Sequence, residues 1–119
     1  MGKRWIGRWI IVVAALHTLI GLVVFAPILQ AMIDDGLWNS VGEIPMRNVA
    51  AWFLIGGGFM LVIGIAIDAC EHHAGPHLLR PTGWAMLVVT IITIILMPVS
   101  GAWLLVPPAV AMIRRRDPN

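Results

Sequence analysis

The chain has a single cysteine, Cys70, so it cannot close an internal disulfide or carry Cys-x-x-Cys chemistry. Charge is equally scarce: Asp, Glu, Lys and Arg make up 12% of the residues, about half of what a soluble domain carries. With 60% apolar residues and a mean hydropathy of +0.91, this scarcity excludes an ordinary soluble domain. No phosphate loop, Ser-His-Asp set, His-Glu-x-x-His or Glu-x-x-His pair can be assembled, so no reaction is named by motif. Basic residues are nearly missing from two of the connections between apolar segments. Only Arg47 lies in the first, and none lies in the third.

What is present is one domain, residues 1–119, divided into four apolar stretches at about 9–33, 49–70, 82–97 and 100–113. A bilayer core needs about 20 apolar residues per helix, and the first two stretches supply them. Seven of the eight basic residues (Lys3, Arg4, Arg8, Arg80, Arg114, Arg115 and Arg116) fall in the N-terminus, the second connection or the C-terminus. The bias that keeps Lys and Arg untranslocated puts those three regions in the cytoplasm. The expected fold class is therefore all-α: a four-transmembrane-helix bundle with N-terminus and C-terminus cytoplasmic. The pI near 9.5 then reports membrane orientation, and no nucleic-acid partner is expected. The basic start resembles a signal peptide, but its apolar run exceeds an h-region and no small-x-small site follows, so it is read as a retained first span.

The last two stretches are short, about 21–25 Å each against a core of about 30 Å. One kinked helix over 83–113 would balance the basic residues four against four, whereas a hairpin turning at MPVSG leaves seven against one. The hairpin is favoured. Trp5, Trp9 and Trp84 then sit at inner ends, and Trp38, Trp52 and Trp103 near outer ends, where amphipathic rings collect. Gly36 is the expected left-handed residue ending span one, Asn48 the N-cap of span two and Pro81 the start of span three.

Ala50, Gly57 and Gly64 recur every seven residues, a stripe on which helices can approach closely. The alternative is that Gly56, Gly57 and Gly58 make room for a flat ligand. His17 is the one ionisable side chain well inside a span, which marks it as a site candidate. It has three readings: a neutral ring bonded to a carbonyl or threonine, a ligand contact or proton relay, or a haem ligand completed by a second copy. Met86, Thr90, Thr93 and Met97 share one helical face, either as interior packing or as part of a polar-flecked site with His17 and Gly57. Pro107 and Pro108 free the carbonyls of Trp103 and Leu104, which must find partners or water.

At the inner surface, Asp68, Cys70, Glu71, His72, His73 and His77 fall within ten residues. His72, His73 and His77 are a weak metal candidate set beside the simpler reading of a solvated turn. At the outer surface, Asp34 and Asp35 oppose a helix dipole and are expected to be relieved by Arg47, water or a partner.

The segments LHTLIGLVVF, GLWN, AWFLIGG and MPVSGAWLLVPPA resemble a family of small four-helix bacterial membrane proteins, a domain of unknown function loosely similar in design to DoxX-like proteins. The resemblance covers nearly the whole chain. It implies a four-helix integral membrane protein and brings no activity, cofactor or catalytic residue.

The expected function is non-enzymatic: an accessory or structural subunit, self-associating or held in a larger membrane complex, with the lipid bilayer as surroundings. The alternative is a binder of a quinone, lipid or haem around His17, possessing redox or isomerase chemistry in its fullest form. A minimal transporter ranks third, because polar groups along one path are few.

Overall fold

A computed structural model describes residues 4–73, 76–98 and 100–115. Among these residues all regular structure is helical. Lys3 and Arg116, counted in the charge argument, and Val99 in the predicted turn lie outside the described residues.

The first apolar stretch forms two helices, α1 (Ile6–Val24) and α2 (Ala26–Asp34). This corrects the single span expected over 9–33. Pro27 lies in the first turn of α2, and its missing N–H and bulky ring interrupt the helix that would otherwise continue from α1. The α2 terminus is closed by Gly36 at φ +90°, whose N–H reaches the Ile33 carbonyl while the Leu37 N–H reaches Met32. Those two bonds are a Schellman closure, as the Asp-Asp-Gly sequence suggests.

The next helix, α3, spans Pro45–His73 and is about 43 Å long. It starts three residues before the expected cap, because Pro45 occupies the first turn where its lack of an N–H is harmless. Asn48 is thereby inside the helix, its N–H donating to Ile44. Helix α4 spans Pro76–Leu96, with Pro81 in its interior rather than at its start. The thirteen-residue inner connection expected around the histidines is thus mostly helix, and Pro76 is the proline that opens the third long segment. After α4 the chain turns, makes a 3-10 turn at Gly101–Leu105 and continues as α5 (Val106–Arg114).

Three helices among the described residues, α1, α3 and the 77–96 part of α4, are long and apolar enough to cross a membrane; Gly101–Arg114 is a shorter apolar segment. Their outward faces stay apolar, with Val12, Val23, Phe59, Val89 and Ile95 exposed. A helix apolar on all sides, in a chain too small to bury it, is suited to lipid.

The helices form two antiparallel pairs. Helix α1 lies along α3, where glycines remove the side chains that would hold the helices apart. A Cβ on Gly7 would strike the Asp68 backbone nitrogen, and one on Gly64 would fall 2.8 Å from Ile11. Helices α4 and α5 meet at Gly83, where a Cβ would strike Met112 and the Ala109 carbonyl. The pairs join at one end through a small core of Ile6, Ile10, Ile67, Leu79 and Met112.

Candidate functional site

The residues singled out from sequence do not assemble into one site. His17 lies part-way along the α1–α3 seam. Its Nε2 is 2.9 Å from the Phe53 carbonyl oxygen, so the ring donates from Nε2. The imidazole is stacked on the Phe53 ring, with centroids 3.9 Å apart and planes within 9°. Gly57 makes this possible. A Cβ there would meet Thr18 Oγ1 at 2.5 Å and His17 Cδ2 at 3.1 Å, closing the approach to the helix backbone. The geometry matches the first of the three readings, a histidine bonded across the seam to a carbonyl. Phe53 carried no sequence signal, because an aromatic in an apolar span is indistinguishable from packing.

Ala50, Gly57 and Gly64 are all buried on α3. Thr90 is buried on α4 and Thr93 donates to its own helix at the Val89 carbonyl, 2.8 Å away. No Cα of α4 comes within 8 Å of one of α1, so neither threonine shares the neighbourhood of His17. The polar interior that would have combined them is divided between the two helix pairs.

A groove of about 470 Å³ does open beside the seam. Its walls are leucines and Ile11 from both helices, and its floor is Ala14, Ala15, Gly57 and Gly58. His17 is not part of its wall. Thr18 supplies the one hydroxyl.

The histidines at the end of α3 are also separated. His72 Nδ1 is 2.7 Å from the Asp68 carbonyl, and the His72 and His73 rings stand 6.1 Å apart, tilted by 44°. Among the described residues no three His, Cys, Asp or Glu side chains converge on a point where a metal ion could sit.

The strongest polar feature lies in the segment for which the simpler expectation is a solvated turn. Glu71, in the last turn of α3, has a fully buried side chain. Its Oε1 accepts the Gly7 N–H at 2.7 Å, and its Oε2 is 3.6 Å from Arg115 Nη2. Trp5 occupies the N-cap position of α1 and makes no side-chain cap. Glu71 therefore caps α1 from another helix, placing a carboxylate where the helix dipole is positive. Asp68, one turn earlier, faces Arg8 at 3.8 Å and His72 at 3.7 Å. A carboxylate in an otherwise apolar helix was the signal that could have found this node.

Further contacts satisfy polar groups elsewhere in the bundle. The Leu104 carbonyl freed by Pro108 accepts from Trp9 Nε1 at 2.7 Å, and the Val106 N–H reaches Trp103. At the other end Arg47 donates to the Ser40 carbonyl at 2.6 Å and meets Asp35 at 2.7 Å, relieving the acidic end of α2.

No curated protein and no solved structure matches this chain. A family model does, over residues 1–119, and the chain belongs to that family of unknown function (DUF6463).

Proposed function

We propose that the chain is an integral protein of the bacterial inner membrane, crossing it four times with both ends cytoplasmic, and that it works as an accessory or structural subunit, as a small oligomer or inside a larger complex. The observation that carries this reading is the use made of its polar groups at membrane depth. His17 binds a backbone carbonyl and Trp9 binds the carbonyl freed by Pro108, so both join helices. The lateral apolar faces remain free to meet lipid or another chain. The threading is supported by the grouping of cations: Arg8 meets Asp68, Arg80 bonds the Ile113 carbonyl and Arg115 meets Glu71 at one end, while Arg47 is at the other. The segment from Gly101 to Arg114 is apolar and returns alongside α4 toward that same end, which supports a fourth crossing.

Crosslinking in intact cells at native expression, followed by purification in mild detergent, tests the role. Dimers or a co-purifying membrane subunit are expected, and a strictly monomeric species overturns it.

A second reading, binding of a hydrophobic small molecule, draws support from the groove between α1 and α3 rather than from His17. Mass spectrometry of molecules extracted with the purified protein is its test.

A further inference from the structure

We infer that the groove between α1 and α3 is a site for one anionic phospholipid of the cytoplasmic leaflet, with its phosphate at Arg8 and an acyl chain over Gly57 and Gly58. This deepens the second reading above and rests on it and on the membrane-spanning orientation. Arg8, Ile11, Ala15, Thr18 and Leu22 recur at three- and four-residue steps and so share one face of α1. The last four of these line the groove, and Arg8, outside its lining, precedes Ile11 by one turn on the same face. From Ile11 to Leu22 the wall runs about 17 Å, close to one leaflet of a hydrocarbon core about 30 Å thick.

Arg8 is paired to Asp68 on one side and open to solvent on the other. Arg8 is 70% exposed and approaches Asp68 only at 3.8 Å, beyond hydrogen-bonding distance. It makes no hydrogen bond among the described residues. Arg80 and Arg47, by contrast, are each bonded to a backbone carbonyl. A guanidinium presents paired donors to a phosphate, so the groove's cation and its apolar length suit the two parts of a phospholipid. The floor is open as well, since a Cβ added to Gly58 would meet nothing within 4 Å.

The test reconstitutes the full-length protein in vesicles of phosphatidylcholine and phosphatidylglycerol, extracts it in mild detergent and measures retained lipid by native mass spectrometry. Phosphatidylglycerol is expected in excess over phosphatidylcholine. Arg8→Gln should reduce that excess about fivefold, the contribution of one basic side chain at an anionic surface, while Arg80→Gln leaves it unchanged. Gly58→Leu, whose Cβ meets nothing within 4 Å, should occupy the floor and lower retention of both lipids at unaltered thermal stability. Equal effects of Arg8→Gln and Arg80→Gln overturn the inference. So does a Gly58→Leu variant that loses its dimer yet keeps its lipid, which would show a second copy seated in the groove. A quinone recovered there in place of phospholipid preserves the binding reading and overturns this one.

Discussion

Each end of the molecule carries an arginine–carboxylate pair, and the two pairs are built differently. At the end proposed above to be the inner one, Glu71 is fully buried, caps α1 through Gly7 and faces Arg115. At the outer end Asp35 is 57% exposed, and it meets Arg47 at 2.7 Å. The outer pair has the shorter contact, yet burial decides the energetic weight. An exposed pair contributes about 0–1 kcal/mol after screening and side-chain ordering. A buried carboxylate that satisfies a helix N-terminus cannot be removed without leaving the N–H unanswered. The two ends differ in packing too. The small core of Ile6, Ile10, Ile67, Leu79 and Met112 lies beside Glu71, while the outer end is held by turns and by the closure at Gly36.

The most damaging way to break the inner end is through its closest helix approach. Gly7→Val should destabilise the protein by about 3 kcal/mol or more, because the added Cβ falls against Asp68 backbone that cannot yield. Thermal unfolding in mild detergent, followed by helical signal, measures it; a loss below about 1 kcal/mol would mean that the helices part there at little cost. Glu71→Ala comes next, at about 2–4 kcal/mol, against under about 1 kcal/mol for Asp35→Ala in the same assay. Equal losses from the two would abolish the contrast between the ends. The smallest effect sharpens it from the outer side: Gly36→Ala should cost about 1 kcal/mol, since only the left-handed backbone at φ +90° is penalised and no neighbour is within 4 Å. A loss as large as that of Gly7→Val would reveal packing at Gly36 that the structure does not contain.

Much of this architecture was legible in the residues. The long apolar runs, the turn chemistry at Gly36 and the need of the Leu104 carbonyl for a partner all follow from local rules on covalent geometry and backbone hydrogen bonding. Helix boundaries were less legible where proline was involved. Pro27, Pro45, Pro76 and Pro81 each permit either a start or an interior position, and the choice depends on what packs around them. The candidate site was legible only in pieces. His17 is conspicuous because an ionisable group in an apolar span is costly. Its partner is a backbone carbonyl, which every residue possesses, so no side chain in the sequence announces it. Thr90 and Thr93 share a helical face that says nothing about which helix lies opposite.

The sequence by itself determined that the chain is helical, that its long segments suit a hydrocarbon solvent, and where its basic residues fall along it. These are consequences of composition and order, which act without any knowledge of neighbours. Only the tertiary structure decided that Glu71 caps the helix starting at Ile6, that Gly57 admits His17 to Phe53, and that Ile11, Thr18, Leu54 and Gly58 come to line one apolar groove. Each of those depends on which helix lies beside which and at what depth, and the register between helices is fixed by close packing of glycine against backbone rather than by any residue read alone.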